Sequence, residues 1–321
     1  MQLAKSSISI FMVLLAFSYQ AYSQNEKKLS VSKDNGLLSI IYKNQPLIVY
    51  QYAVLDPPKG VDPAFKRSGF FHPINTLKGH RLTRIHAEDH YHHFGMWNPW
   101  TKTLFEGDTL DFWNIGGKQA TIRHAGFKNT NVTDAFAEYQ MLHEHIVLKN
   151  NKNKVALNEI QTVKIHNPKD NYYVIDLQFD YTCATESEFK ILAYRYQGLG
   201  WRATEEWNDA NSSIITSEGK SRKDADNTTA KWMLYQGQLG NDKGGIVMLS
   251  HPQNYNHPEP IRVWPIGQHE GSVFINFSPT KTKDWVFEPG KTYTLKYRLV
   301  VFDDEFVPTQ ADSFWEEFAK Q

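Results

Sequence analysis

Residues 69–126 concentrate the side chains of this chain that could transfer protons or bind a metal. Seven of the thirteen histidines fall in this segment, namely His72, His80, His86, His90, His92, His93 and His124. Imidazoles change protonation near neutral pH and are common metal ligands. Aromatic residues are interleaved with them, and a pyranose ring needs both kinds of group because it presents apolar C–H faces beside its hydroxyls. The segment therefore predicts a carbohydrate site, with Trp97 and Trp113 among its substrate-binding residues.

The run from His90 to His93 allows three interpretations. In an extended strand His90 and His92 lie on one face and His93 on the other, so a divalent metal held by the first two needs a third ligand from elsewhere. Candidates for that ligand are His86, Asp89 and His124. Alternatively, the imidazoles hydrogen-bond to one another and to backbone in a buried loop. We favour a sugar pocket in which His90, His92 or His93 is a general acid or base.

A uronic acid is the substrate that suits this proton-transfer chemistry. Its carboxylate acidifies the proton at C5, so a histidine or tyrosine base can drive β-elimination while an arginine neutralises the carboxylate. Tyr194 is the tyrosine candidate, on a predicted strand face that it shares with Tyr196. The candidates for the arginine are Arg84, Arg123, Arg195 and Arg202. The further substrate-binding candidates are Asp89, His124 and His251. The first hypothesis is therefore a lyase or dehydratase acting on uronate-containing oligosaccharides.

Two other hypotheses stay open. An aldose mutarotase or epimerase needs an acid and a base across the ring oxygen, and a clustered histidine with Glu159 could supply them. Glu159 and Gln161 form a polar pair on an otherwise apolar face of a predicted strand. A non-catalytic sugar-binding module, in contrast, needs the aromatic residues but neither clustered histidines nor arginines.

Composition narrows the choice of partners. The 321 residues include 35 basic and 35 acidic side chains, so the formal net charge is zero and no general attraction to nucleic acid is expected. An oligosaccharide in a local pocket fits better. The single cysteine, Cys183, excludes an internal disulfide framework and any multi-cysteine metal site, and is more typical of a core residue than of a nucleophile.

The amino-terminal residues predict export. Lys5 precedes an apolar run at 8–17, which is about half the roughly twenty residues that a membrane-spanning helix needs. Ala21 and Ser23 give a small-x-small cleavage site before Gln24. We therefore expect a signal peptide at 1–23, a periplasmic or secreted domain at 24–321, and no stable insertion in a membrane.

The elements that must position these residues are mainly strands. Apolar and polar residues alternate at 173–181 and again at 293–301, as in antiparallel strands with one buried face. Further strands are predicted at 38–43, 46–54, 135–149, 155–166, 230–239, 245–250 and 273–277. The uniform strand signal predicts one all-β domain, a large antiparallel β-sandwich. A short C-terminal helix is expected to be capped by Thr309 and to pack on the sheet edge through Phe314, Trp315 and Phe318.

Several motifs carry a resemblance to a known family. They are His72-Pro73, residues 89–97, Asp111-Phe112-Trp113, residues 194–202 and residues 251–254. Together they resemble a bacterial domain family of unassigned function that is often described as methane-oxygenase-like. The resemblance spans most of residues 24–321 and implies a galactose-mutarotase-like sandwich in proteins that accompany sugar-degrading enzymes. The family's Asp-His-Pro-His-His-Arg-Gly is here Asp-His-Tyr-His-His-Phe-Gly, so no role is carried over for its arginine. Oxygenase activity is not carried over either, because this chain has no predicted spanning segment.

Overall fold

The computed structural model describes residues 29–149 and 152–321, so the predicted signal peptide lies outside the described residues. Within those two ranges, no helix has the length and apolar character needed to span a bilayer. In chain order the elements are β1 Ser30–Asp34, β2 Leu37–Tyr42, β3 Gln45–Gln51, β4 Phe70–Ile74, β5 Ile85–Ala87, β6 His90–Phe94, β7 Met96–Trp97, β8 Thr103–Phe105, β9 Asp108–Leu110, β10 Ala120–Val132, β11 Phe136–Lys149, β12 Lys152–His166, β13 Tyr172–Cys183, β14 Phe189–Ile191, β15 Gly200–Arg202, β16 Ser212–Thr216, β17 Thr229–Ala230, β18 Trp232–Leu239, β19 Asp242–Ser250, β20 Glu259–Val263, β21 Phe274–Phe277, β22 Trp285–Phe287, β23 Thr292–Asp303 and the helix α1 Pro308–Phe318.

Two large sheets make up the sandwich. Among the described residues, one has nine strands in the order β1-β2-β3-β4-β7-β15-β21-β20-β17, and the other has eight in the order β10-β11-β12-β13-β23-β19-β18-β16. Neighbouring strands run antiparallel, as in the long pairings of β12 and β23 with β13. Smaller sheets are formed by β22-β14-β8-β9 and by β5-β6. The predicted all-β antiparallel sandwich is confirmed.

The main core lies between the two large sheets. Ile40 and Tyr50 of the nine-stranded sheet share one buried cluster with Ile175 and Phe179 of the eight-stranded sheet. The alternation predicted at 173–181 is therefore the inward face of β13. Tyr173 also donates its hydroxyl hydrogen across the core to backbone carbonyl groups of the facing sheet, with distances of 3.0 Å to Leu47 and 2.7 Å to Asn75. Apolar burial and a satisfied hydroxyl together hold the sheets in register.

The C-terminal helix covers the outer face of the eight-stranded sheet, so its predicted position at the sheet edge is wrong. The outward side chains of β18, β19 and β23 are themselves apolar and need cover, and they pack with Phe318 in a second buried cluster. Trp232 of β18 also donates to Asp312 of the helix at 2.8 Å. The N-cap is Val307, two residues before the predicted cap at Thr309, and the helix begins at Pro308. Proline is preorganised for this first helical position.

A buried carboxyl group in the core should make stability depend on pH. Glu259 is 0% exposed, and burial raises its pKa to about 7, against hydrogen bonds from Ser250, Asn254 and Tyr297. This group therefore contributes stability that is present below its unfolded pKa of 4.5 and is lost as pH rises through about 7. We expect Glu259→Gln to remove this dependence, so that the free energy of unfolding of the variant relative to wild type rises by about 2–3 kcal/mol between about pH 5 and about pH 8. Urea unfolding of both proteins at the two pH values measures these free energies. A difference in the free energy of unfolding that is the same at both pH values would contradict the prediction.

Candidate functional site

His90, His92 and His93 converge in the structure. Their ring centroids lie 4.6 to 5.2 Å apart, and one nitrogen from each ring lies within 4.8 Å of the others. The prediction that His93 lies opposite the other two is wrong. Strand β6 pairs with β5 only at Phe94 with Ile85 and at His90 with Ala87, so the three residues between His90 and Phe94 oppose a single residue of β5. Such a bulge breaks the alternation of side chains and turns His93 toward its neighbours.

Buried aromatic rings pack against the histidine cluster. His93 is 3% exposed and lies 5.0 Å from the ring of Trp97 and 4.9 Å from that of Phe274. His90 lies 4.9 Å from the ring of Trp264. Trp97, Phe274 and Trp264 belong with Trp113 to one buried cluster. Because packed rings leave little rotational freedom, the imidazoles are held in a defined arrangement.

An ion pair lies behind the cluster. The Arg202 guanidinium is 1% exposed, donates to both carboxylate oxygens of Asp89 at 3.0 and 3.1 Å, and stacks on Trp264 at 4.4 Å. A carboxylate oxygen of Asp89 also lies 3.0 Å from Nδ1 of His90. Partial burial raises the pKa of the Asp89 carboxyl, but His90 and Arg202 outweigh it and hold that pKa well below its usual range. Asp89 is therefore an anion that can orient His90.

His269 reaches the same carboxylate from another part of the chain. Its Nδ1 lies 3.7 Å from Asp89, and its ring lies 3.9 Å from that of Trp264. His269 and Glu270 both have left-handed backbone conformations, with φ of 50° and 58°. Such conformations are costly in residues other than glycine and often occur where a side chain must be aimed at a site.

A cavity of about 560 Å³ opens over the cluster. It combines the histidines with aromatic walls and polar side chains, and is lined by His90, His92, His93, Trp113, Asn114, Arg195, Tyr196, Arg262, Trp264, Gln268, His269 and Phe274. This volume lies in the range of cavities that enclose small organic ligands. Flat rings beside a few polar groups match the mixed surface of a sugar ring.

Two imidazoles and the phenol that line the cavity are uncharged near neutral pH. Burial, reinforced by the neighbouring His90, lowers the pKa of His92 to about 3, and burial with the neighbouring histidines holds that of His93 well below its usual value. Burial also raises the pKa of Tyr196, although a hydrogen bond to Asn114 opposes it. The two imidazoles therefore offer lone pairs, and the phenol keeps its proton.

Several residues predicted for the site lie near it without lining this cavity. Trp97 lies beneath His93, and Arg202 acts through Asp89. Arg84 meets Arg202 through its backbone N–H, which donates to the Arg202 carbonyl at 3.0 Å. Tyr194 lines a neighbouring cavity and packs its ring 5.1 Å from that of Tyr196. Tyr194 and Tyr196 lie in the loop between β14 and β15, so the strand face predicted for them is wrong.

Three other predicted residues lie elsewhere in the fold. Arg123 pairs with Glu144 on the eight-stranded sheet, at 2.8 Å from Nε to the carboxylate. His124 lies 3.0 Å from the Tyr50 hydroxyl, and the His251 ring packs 5.1 Å from that of Phe318. None of these three lines the histidine cavity.

Sequence reasoning missed five of the twelve residues that line the cavity. They are Asn114, Arg262, Gln268, His269 and Phe274. The loop from Trp264 to Phe274 is far from His90 along the chain, and the sheet pairing of β15 with β7 and β21 brings the two segments together.

The fold and this site define an antiparallel β-sandwich protein with a histidine-lined aromatic cavity. Residues 38–316 match the model of a family of unknown function, DUF6807, and the chain belongs to that family. This match confirms the predicted membership of a family of unassigned function. It does not show the methane-oxygenase-like description of that family. No curated protein matches the chain.

Solved structures show distant similarity. The chain is similar to a heparan sulfate lyase from Pedobacter heparinus, with a TM-score of 0.37 and 7% identity over 87% of this chain and 35% of the lyase. It is similar to a GalM/aldose epimerase homologue from C. elegans, with a TM-score of 0.36 and 9% identity over 87% of this chain and 100% of that one. It is also similar to an α-galactosidase from Geobacillus stearothermophilus, with a TM-score of 0.35 and 11% identity over 87% of this chain and 41% of that enzyme. The chain thus spans well under half of the lyase and the galactosidase. Likeness of this degree assigns no activity.

Proposed function

We propose that the protein is an exported enzyme, periplasmic or secreted, that cleaves uronate-containing oligosaccharides by β-elimination. The observation that carries the proposal is the position of Arg195. Arg195 lines a cavity with aromatic walls, and its guanidinium lies 5.3 Å from the ring centre of Tyr196. Within residues 29–149 and 152–321 it makes no ion pair. A cation without a counter-ion beside rings that fit a sugar is complementary to an acidic sugar.

The walls suggest how such a sugar binds. Arg262 also lines the cavity, but its charge is offset by Asp226, with which it forms an ion pair. Arg195 is therefore the side chain placed to accept the carboxylate of a uronate, in the bidentate geometry that a guanidinium allows. Trp113 and Trp264 line the same cavity as buried rings, 0% and 4% exposed, and give its wall apolar character.

The proposed reaction removes a proton and a leaving group from neighbouring carbons. The histidine cluster accepts the C5 proton, and the electron pair of that C–H bond forms the C4–C5 double bond. The C4–O bond breaks, and its oxygen takes a proton from the Tyr196 hydroxyl. Exchange with water then returns both protein groups to their starting states. Neutralising the carboxylate stabilises the negative charge that develops as the proton leaves.

The structure does not favour the mutarotase hypothesis. Glu159, the carboxylate proposed for that role, is 0% exposed and accepts hydrogen bonds from His145 at 2.7 Å and Gln161 at 2.5 Å. A group sealed in the core cannot donate a proton to a bound sugar without opening the sandwich. The sugar-binding module stays as the alternative that the following test separates from the enzyme.

Replacing Arg195 with alanine should lower kcat/KM for uronate oligosaccharides by about 10- to 100-fold, because a charge-assisted contact to the carboxylate is lost. Elimination is followed by the ultraviolet absorbance of the conjugated unsaturated uronate. Arg123→Ala is the matched control, since Arg123 is exposed and pairs with Glu144 away from the cavity. Carboxyl-reduced oligosaccharides should give no product with either protein. Binding of the sugars without any rise in absorbance would instead establish a binding module.

A further inference from the structure

We propose that His90, His92 and His93 bind one divalent transition metal ion of the zinc class, whose fourth coordination position opens into the cavity. The binding site follows from the geometry of the side chains alone, whereas the catalytic use of the metal rests on the proposed function. Three histidines with one open position are the donor set of a catalytic zinc site.

The first support is the convergence of the rings. One nitrogen from each of the three imidazoles lies within 4.8 Å of the other two, and no carboxylate belongs to this group. Nitrogens bound to zinc at about 2.0–2.1 Å in a tetrahedral arrangement lie a little over 3 Å apart, so small rotations of the rings would complete the site. The bulge in β6 creates this convergence, because a regular strand would turn His93 away.

The second support is that two of the imidazoles lack partners. Within the described residues, neither the His92 nor the His93 side chain donates or accepts a hydrogen bond, and Nδ1 of His93, like Nδ1 of His90, is buried without a hydrogen-bond partner. A buried polar nitrogen without a hydrogen bond is costly, and native proteins rarely leave one without a reason. The interpretation of a hydrogen-bonded structural loop is therefore not what the structure shows. A metal ion would satisfy both rings.

The third support is the carboxylate behind His90. Histidine ligands commonly interact through their second nitrogen with a carboxylate that fixes the orientation of the ring. Asp89 lies 3.0 Å from Nδ1 of His90 and is held by the buried guanidinium of Arg202. This contact is an ion-pair distance without hydrogen-bond alignment, and with Nδ1 beside Asp89 the nitrogen of His90 that the proposal gives to the metal is Nε2.

A second group of possible ligands shares His90 but fits less well. It consists of Asp89, His90 and His269. Both oxygens of Asp89 accept hydrogen bonds from Arg202, so a metal bound there would lie beside a positive guanidinium. The repulsion between the two cations favours the site formed by the three histidines.

A metal at this site would supply a proton acceptor in place of the imidazoles. Water bound to zinc ionises near neutral pH, because the metal lowers its pKa to about 7. The ion would thus supply a base for the C5 proton, whose C–H electron pair would form the double bond, and Tyr196 would still give its proton to the leaving oxygen. The three imidazoles then serve as ligands instead of bases.

The test measures metal binding directly. The purified full chain is dialysed against a chelator and titrated with Co²⁺, whose visible absorption reports its coordination, and then with Zn²⁺. We expect about one Co²⁺ per chain, displaced by Zn²⁺, and a rise in Tm on binding. His92→Ala should weaken the affinity by about 100-fold or more, and Asp89→Asn by about 10- to 100-fold. His80→Ala is the matched control, because His80 pairs with Asp242 outside the cluster.

Two results would overturn the site. One is a folded wild-type protein that binds no Co²⁺, and the other is equal affinity in His92→Ala and His80→Ala. Circular dichroism checks that each variant is folded, and Asp89→Asn provides a second readout if His92→Ala does not fold. Stoichiometric metal without elimination on any uronate would refute the proposed function and leave the metal site standing. Elimination that persists in metal-free protein would refute the catalytic role of the metal alone.

Discussion

Replacing Tyr196 with phenylalanine should lower kcat for β-elimination by about 10²- to 10⁴-fold, the usual contribution of a general acid. The Tyr196 hydroxyl lies at the cavity wall, where Asn114 both donates to it at 3.1 Å and accepts from it at 3.3 Å. Burial raises the pKa of this phenol, so it carries the proton that the leaving oxygen needs. KM should change little, because the phenyl ring remains.

The choice of leaving group makes this prediction specific. A substrate whose leaving oxygen is already a weak base needs no proton, so Tyr196→Phe should be much less impaired on it than on a natural oligosaccharide. Tyr194→Phe provides the comparison, because that ring packs beside Tyr196 but lines the neighbouring cavity. A larger loss in Tyr194→Phe, or a loss in Tyr196→Phe that is the same for every leaving group, would contradict the assignment.

The strands could be predicted because alternation directly reflects one-sided burial. The inward residues of β13 are buried, and the strand ends within a few residues of its predicted bounds. The position of the helix could not be predicted in the same way. Its apolar face shows that it must pack, but the surface that it covers is formed by outward residues of three separate strands. Only the completed sheet brings those residues together.

The candidate site shows the same limit. Composition located His90, His92, His93 and Trp113, which all line the cavity. It did not predict that the three imidazoles meet, because the bulge depends on how β6 pairs with β5. Arg123 and His124 belong to the same segment of sequence but lie on β10, which is part of the other sheet. Residues that are close in the sequence were therefore predicted to share one site, but the structure places them on different sheets.

The buried network around Glu159 should be essential for stability. Glu159 is fully enclosed on β12, where His145 and Gln161 donate to it, and His145 and His143 hold its pKa below the usual range against the effect of burial. Glu159→Ala would leave these donors without an acceptor in the core. We expect the free energy of unfolding to fall by about 3–5 kcal/mol, because two buried donors lose their acceptor and a cavity is left in the core. Chemical denaturation followed by tryptophan fluorescence measures the change.

Glu159→Gln separates this structural role from a catalytic one. The amide keeps the shape of the side chain and one acceptor oxygen, so the loss of stability should be clearly smaller than in Glu159→Ala. If the network serves only the core, the folded Glu159→Gln protein should eliminate uronates at the wild-type rate, since Glu159 does not line the cavity. A mutarotase that used Glu159 as its acid would behave in the opposite way. It would stay folded with glutamine at this position and lose its ability to interconvert aldose anomers, and that result would restore the isomerase hypothesis.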